Sequence, residues 1–220
     1  MDYTKAFTYP QQDADWLKKF LIAGALNLVP VVGWLLVVGY MLEVTRRVVE
    51  HNSQLLPEWR DWGNLFKKGL YVAVIGLVYA LPIIVLALCS AIPNVAYAFM
   101  LRNGNDAAAG LAPVRAIASS CFGCLTLVYA IFLGMTLPAA LGKVAATDQL
   151  GSAFRFGEVI ALVRAKPAVY LIIMLLSAVA ASLLSSVGSI VCLVGAAWGS
   201  AYAGLIGAYL DGEAYLTASA

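Results

Sequence analysis

Charged side chains are scarce in this chain. Of its 220 residues only 12% are Asp, Glu, Lys or Arg and 62% are hydrophobic, whereas a soluble domain is about a quarter charged and about half apolar. A spanning helix needs about 20 apolar residues, and four stretches without Asp, Glu, Lys, Arg or His exceed that length: 20–42, 69–101, 116–142 and 167–210. They lack the alternation of barrel strands. The composition predicts an all-α integral membrane protein.

Residues that carry catalytic and metal chemistry are also few. His51 is the single histidine and lies in a polar connector, and Cys121 and Cys124 form one Cys-x-x-Cys pair inside an apolar run. A zinc site needs further ligands, and intramembrane hydrolysis needs a base beside its serine or a pair of acids. We expect that the protein is not an enzyme, that it binds no cofactor, and that it has no catalytic, cofactor-binding or metal-binding residue. The net charge of +2, spread along the chain, argues against a nucleic-acid partner.

The distribution of Lys and Arg distinguishes two topologies for the first apolar run, residues 20–42. If this run crosses the bilayer once, the two sides carry five and nine of these cations; if it returns, they carry twelve and two. The second count is the stronger positive-inside pattern. Asn27, Pro30 and Gly33 interrupt the run in its middle and favour a turn there. We predict a broken helical hairpin over 17–47, with five full spans as the alternative.

The other apolar runs predict four full spans, at 69–101, 114–142, 167–186 and 188–210. The last two share one run that is expected to reverse near Ser186. Pro82 and Pro93 fall inside the first span, which should tilt, bend or extend into the far interface. The chain, 1–220, is predicted as one helical membrane domain in the cell membrane with both termini in the cytoplasm. No A-x-A-like cleavage site precedes the first run, so we expect that run in the mature protein.

Two segments combine aromatic and charged side chains at helical spacing. The stretch LPEWRDWGNLFKKG has an aromatic face and a charged face, which predicts an interfacial helix over 57–68. The stretch SAFRFGEVIALVRAKP repeats this pattern and predicts a second interfacial helix over 152–165. Aromatic rings favour headgroup depth, where lysines face water or anionic lipid. The predicted membrane-interface residues are Trp16, Trp59, Trp62, Phe66, Lys67, Lys68, Phe154 and Phe156.

Small residues recur every four positions in the last apolar run. Such stripes allow close helix approach in lipid, where no hydrophobic effect drives helices together. The stripe packs either against the protein's own helices or against a second copy of the chain, and the pattern leaves both open. The predicted helix-packing residues are Gly188, Gly195, Gly199, Ser200, Ala203, Gly204 and Gly207.

Four blocks of the sequence resemble a known family. They are AFTYPQQDADWLKKF, PVVGWLLVVGYMLEVTRRVV, LPEWRDWGNLFKKGL with the following YALP, and AFRFGEVIALV. The resemblance is to bacterial and archaeal membrane proteins grouped only as a domain of unknown function, and it covers most of the chain. It implies a polytopic helical membrane domain, and it brings no activity or functional residue with it.

These features predict a non-catalytic membrane protein, self-associating or accessory, with a basic cytoplasmic surface that faces lipid. The expected partners are membrane lipids, anionic at the cytoplasmic face, and further copies of the chain in a homo-oligomer. The Pro- and Gly-interrupted apolar segments support a second hypothesis, a channel or transporter for a small solute, ion or lipid.

Overall fold

A computed structural model of the chain describes residues 4–103, 107–190 and 192–219, with side chains except at 107–109, 185, 187–190 and 192–194. Within these ranges there is no strand, as predicted for an all-α protein. Two short 3₁₀ helices lie at Tyr9–Gln12 and Leu150–Phe154. The α-helices of the described chain are α1 Lys5–Thr8, α2 Trp16–Asn27, α3 Val32–Val49, α4 Trp62–Arg102, α5 Ala107–Thr147, α6 Phe156–Ala165, α7 Pro167–Ile190 and α8 Cys192–Ser219.

Three helices in the described part of the chain are long and apolar enough to cross a membrane: α4, α5 from Gly110, and α7 as far as Leu184. The protein is therefore membrane-embedded. The predicted spans 69–101 and 114–142 lie inside α4 and α5, and α4 continues through Pro82 and Pro93 to Arg102. The span predicted at 188–210 falls mostly in α8, which carries Asp211 and Glu213 in its last turns, and its crossing of the membrane stays a prediction.

The predicted boundary near Ser186 is wrong, because α7 continues to Ile190. The Ser186 hydroxyl donates to the carbonyl of Ser182 at 2.7 Å, one turn back in the same helix. A serine that bonds in this way satisfies its polar group without ending the helix. Helix α8 begins at Cys192, and position 191 lies outside the described residues.

The first apolar run folds back on itself. Helix α2 ends at Asn27, α3 begins at Val32, and Val31 in the turn has a φ of 64°. A Cβ added to Gly33 would lie 1.9 Å from the carbonyl oxygen of Leu26, so this tight return requires a glycine. By helical rise α2 is about 18 Å long and α3 about 27 Å. The reversal agrees with the broken hairpin over 17–47, and its depth in the bilayer stays a prediction.

The predicted interfacial helix over 57–68 is not a separate helix. Residues 57–60 form an irregular loop, and the helix that starts at Trp62 is continuous with α4. Asp61 Oδ1 accepts a hydrogen bond from the backbone N–H of Asn64 at 3.2 Å, which is the pattern of an N-cap. This cap, and not Pro57, sets the beginning of the helix. The segment predicted at 152–165 consists of the 3₁₀ helix Leu150–Phe154 followed by α6.

The chain forms two compact units, Met1–Gly76 with Met135–Ala220 and Leu77–Gly134. In the larger unit α8 is central and packs against α7, α3 and α2. The Thr45 hydroxyl of α3 donates to the Ala208 carbonyl at 2.9 Å, and Asn27 Nδ2 of α2 donates to the Ala197 carbonyl at 3.0 Å. These bonds attach both arms of the hairpin to α8.

Helices α3 and α4 cross with their backbones in contact. A Cβ on Gly39 would lie 1.9 Å from the carbonyl oxygen of Leu65, and a Cβ on Gly69 would lie 2.0 Å from that of Leu35. Ordinary van der Waals contact of a Cβ begins at about 3.4 Å. The crossing therefore depends on two glycines, one on each helix.

The smaller unit is an antiparallel pair made by the second part of α4 and the first part of α5. Tyr129 Oη donates to the Tyr79 carbonyl at 2.9 Å, and the Arg115 guanidinium lies 4.4 Å from the centre of the Tyr97 ring. Its large apolar side chains are mostly exposed; Ile117, for example, is 72% exposed. This outward apolar surface suits contact with lipid.

Candidate functional site

The loop before α4 places its first tryptophan inside the protein. The Trp59 ring stacks on Tyr40 of α3 with 4.3 Å between ring centroids, and its Nε1 donates to the Lys19 carbonyl of α2 at 3.1 Å. Tyr40 Oη donates in turn to the Pro57 carbonyl at 3.1 Å. Trp59 is only 9% exposed. It joins the two arms of the hairpin to the loop, and most of its ring is covered by protein.

Lys19 connects three separate segments through its ammonium group. Nζ lies 2.7 Å from Asp13 Oδ2 and 3.1 Å from Glu58 Oε1, and it donates to the Leu56 carbonyl at 3.1 Å. The side chain is 7% exposed, so these partners replace the water that the ammonium loses. The N-terminal segment, α2 and the loop are thereby held together at one point.

A second buried ion pair links α3 to α4. The Lys68 ammonium pairs with Glu43 Oε2, and Arg47 Nε lies 3.5 Å from Glu43 Oε1. The Lys68 side chain is 3% exposed. Lys68 was predicted to face lipid or water, and that prediction is wrong, because a long side chain on this face of α4 points toward the carboxylate of α3.

Replacing Lys68 with methionine should destabilise the protein, since Glu43 loses its close cation. We expect a loss of about 2 kcal/mol in the free energy of unfolding. Removal of one partner from a fully buried ion pair costs more, about 3–5 kcal/mol. Lys67→Met, at the exposed neighbouring position, should change it by less than about 0.5 kcal/mol. Denaturant unfolding in detergent micelles measures both variants, and equal losses would contradict this role of the pair.

A groove lies beside this network, between the beginning of α2 and the loop. Its volume is about 200 Å³. Trp62 is 42% exposed at its edge, with its ring centroid 5.6 Å from that of Trp59. Cations and aromatic rings thus share one opening with two acids and one aliphatic side chain. We call it the cationic groove; its lining is Asp15, Lys18, Lys19, Ile22, Glu58, Trp59, Arg60 and Trp62.

Helix α6 holds a similar but smaller arrangement. The Lys143 ammonium of α5 pairs with Glu158, and Arg155 lies 3.4 Å from the same carboxylate. The hydrogen bond from Lys143 holds the pKa of Glu158 below its usual range. Val159 is buried and Phe156 is 49% exposed, so α6 has one covered face and one open face. The placement of this helix at the membrane interface stays a prediction.

The other predicted interface residues have mixed positions. Lys67 is exposed, with its ammonium 5.5 Å from the centre of the Tyr71 ring. Trp16, Phe66 and Phe154 are half-buried, and Trp16 lies beside Phe20 with 6.2 Å between ring centroids. Seating of these residues at headgroup depth stays a prediction.

Two of the predicted small residues of α8, Ser200 and Gly204, lie against helices of the same chain. Ser200 Oγ accepts a hydrogen bond from Asn27 Nδ2 at 3.2 Å, and a Cβ added to Gly204 would lie 3.1 Å from Met41 Cε. Gly195, Gly199, Ala203 and Gly207 are also in α8, whereas Gly188 lies outside the described side chains. Self-association through this helix stays a prediction.

Several residues that shape the larger unit were not singled out from the sequence as partners. Gly39 and Gly69 lie in apolar or mixed segments with no local motif, and Glu43 directly follows the apolar run 20–42. Their roles come from the pairing of α3 with α4. Asp211 likewise belongs to no periodic pattern of the sequence. Its position directly after the apolar run 167–210 is the one sequence feature that marks it.

The basic residues are divided unequally between the two units. Twelve of the fourteen Lys and Arg residues belong to the larger unit, and Arg102 and Arg115 belong to the smaller one. Six of the twelve are in ion pairs with carboxylates: Lys19, Arg46, Arg47, Lys68, Lys143 and Arg155. Five others are exposed and have no ion-pair partner among the described residues: Lys18, Arg60, Lys67, Arg164 and Lys166.

Comparison with known proteins identifies one family. No curated protein and no solved structure matches the chain. The model of one family, described as a protein of unknown function (DUF4013), matches residues 22–193, a range that runs from α2 into the beginning of α8. This match covers well over half of the chain. The chain therefore belongs to the DUF4013 family of proteins of unknown function.

Proposed function

We propose that this protein is a non-catalytic accessory protein of the cell membrane that binds anionic lipid headgroups at its cytoplasmic face. The observation that carries the proposal is the cationic groove, where Lys18 and Arg60 lie beside the exposed ring of Trp62. Both cations are exposed without an ion-pair partner in the described chain. They are therefore available to a phosphate group.

The lining of the groove carries one more positive than negative charge. Lys18, Lys19 and Arg60 share it with two carboxylates, Asp15 and Glu58. Lys19 is held by Glu58 and by Asp13, which lies outside the lining, so Lys18 and Arg60 are the cations of the groove without an ion-pair partner among the described residues. A guanidinium and an ammonium are the side chains that bind phosphate oxygens most strongly.

The position of the groove along the chain supports lipid as the source of the phosphate. Trp62, at the edge of the groove, is the first residue of α4, which is apolar enough to span a membrane. The beginning of such a helix belongs at headgroup depth, where tryptophan is enriched. Ile22 supplies an apolar wall for the part of the lipid below its phosphate.

The charge distribution supports a cytoplasmic location for this face. Lys and Arg are concentrated in the segments around α2, the loop and α6, and few of them lie near the connection between α4 and α5. This is the positive-inside pattern. With the first apolar run folded back, both termini are on the cytoplasmic side in this proposal.

Lipid binding is measured by native mass spectrometry of the detergent-solubilised protein with added phosphatidylglycerol or phosphatidylcholine. We expect the native chain to retain phosphatidylglycerol preferentially. The double variant Lys18→Gln, Arg60→Gln should lower the fraction with bound phosphatidylglycerol at least fivefold, because it removes both phosphate ligands of the groove.

The matched control is Arg102→Gln, Arg115→Gln, which removes the same net charge from the smaller unit. It should leave phosphatidylglycerol binding within twofold of the native value. Equal losses in the two double variants, or equal retention of both lipids by the native chain, would contradict the proposal.

A further inference from the structure

The larger unit contains an apolar cavity that the proposed function does not use. It has a volume of about 240 Å³ and is lined by residues of α3, α4, α5 and α8. Two of its lining residues on α8 are Gly204 and Gly207, and a Cβ at Gly207 would meet no atom within 4 Å. The absence of a side chain at Gly207 therefore leaves open space at this point. Met41 of α3 covers the cavity from the opposite side.

One ionisable residue lines this cavity, the carboxylate of Asp211. No cation or hydrogen-bond donor among the described residues contacts it, in contrast to Glu43 and Glu158, which both hold lysines. Burial raises the pKa of Asp211 to about 7, as expected for a carboxyl group without a compensating charge. Its position is one residue after the predicted span 188–210.

A second oxygen lies on the wall of the cavity. Thr45 Oγ1 donates to the carbonyls of Met41 at 3.1 Å and Ala208 at 2.9 Å, so its hydrogen is used and its lone pairs remain able to accept. The cavity thus combines aliphatic walls with one anionic acceptor and one neutral acceptor. It presents no free cation.

We propose that this cavity binds a small organic ammonium ion, with the nitrogen at Asp211 and the apolar body against the walls formed by α3 and α8. The charged nitrogen supplies the missing partner of the carboxylate, and an ion pair gains strength away from water. At about 30 Å³ for each water-sized group, the volume accommodates roughly eight non-hydrogen atoms.

The same features argue against two other occupants. Calcium, a hard metal ion, takes six or more oxygen ligands. The described residues contain no group of three or more side chains that could hold a metal ion. A phospholipid that carries an amine headgroup is several times larger than the cavity. The ligand class is therefore a free amine of about the size of benzylamine.

Methyl NMR of the protein in detergent micelles tests this proposal directly. With methionine methyl groups labelled by ¹³C, titration with benzylamine at pH 8 should shift the Met41 signal saturably. Benzyl alcohol, which has the same shape without the charge, should bind at least tenfold more weakly. Saturable shifts of equal midpoint for both compounds, or no saturable shift with benzylamine, would overturn the proposal.

Three variants identify the site. Asp211→Asn should weaken benzylamine binding at least tenfold, and Gly207→Leu should abolish it by filling the cavity, with the other methionine signals unchanged as evidence of folding. Glu213→Gln, which removes a nearby carboxylate outside the cavity lining, should bind as the native chain does. Unchanged binding in Asp211→Asn would refute the assignment, as would a Met41 shift produced by phosphatidylethanolamine alone.

Discussion

Replacing Gly39 or Gly69 with alanine is expected to lower the free energy of unfolding by more than about 3 kcal/mol, beyond the usual cost of overpacking a core. The added Cβ would lie 1.9 Å or 2.0 Å from a backbone carbonyl oxygen of the facing helix. A backbone atom cannot change rotamer, so α3 and α4 would have to separate by more than 1 Å. That separation opens the contact around Leu35 and Leu65, which are buried at 8% and 3% exposure.

The same substitution elsewhere in α4 provides the control. A Cβ added to Gly63 or Gly76 would meet no atom within 4 Å. Because alanine is favoured over glycine in a helix by up to about 1 kcal/mol, these two variants should be neutral or slightly more stable. Thermal unfolding in a mild detergent compares all four proteins. If Gly39→Ala unfolds at the same temperature as Gly76→Ala, the close crossing of α3 and α4 is absent.

Replacing Trp59 with alanine should have the second largest effect. The change removes a ring stacked on Tyr40 and a hydrogen bond to the Lys19 carbonyl, and it leaves a cavity between the hairpin and the loop. Truncation of a buried tryptophan costs about 3–5 kcal/mol, and we expect about 4 kcal/mol here. Denaturant unfolding followed by the near-ultraviolet circular dichroism of the remaining aromatic residues measures this loss.

Trp62→Ala separates a structural role from an interfacial one. The Trp62 side chain is far more exposed than that of Trp59, so its loss should lower the free energy of unfolding by less than about 1 kcal/mol. It should instead reduce the retention of phosphatidylglycerol, since the ring is at the edge of the cationic groove. Equal destabilisation by the two substitutions would show that the loop does not hold Trp59 against Tyr40.

The two tryptophans illustrate how far helical spacing can be trusted. Trp59 and Trp62 are three residues apart and were both assigned to one aromatic face of an interfacial helix. That assignment required the helix to begin before Trp59, whereas the cap at Asp61 starts it after that residue. One ring then lies in the core and the other remains open. A single capping hydrogen bond changed the role of a residue two positions away.

Buried polar partners were equally inaccessible to local patterns. Lys67 and Lys68 are adjacent and were treated alike, but only Lys68 meets a carboxylate, 25 positions earlier in the chain. The Asp211 carboxylate lines a cavity and contacts no cation among the described residues. The cavity exists only because α3, α4, α5 and α8 meet around Gly204 and Gly207. Periodicity within one helix reports which face is apolar, and it carries no information about which distant residue will lie opposite.

The sequence by itself determined the membrane class, the helical content and the family, and it favoured a reversal at Asn27 to Gly33, because each depends on composition and order along the chain. Long uncharged runs are poorly solvated by water, and the helix break between α2 and α3 lies where Asn27, Pro30 and Gly33 come close together in the sequence. Only the tertiary structure decided the crossing of α3 with α4, the burial of Trp59 and Lys68, and the cavity at Asp211. In lipid no hydrophobic effect brings helices together, so their arrangement rests on backbone contact and polar partners from distant segments.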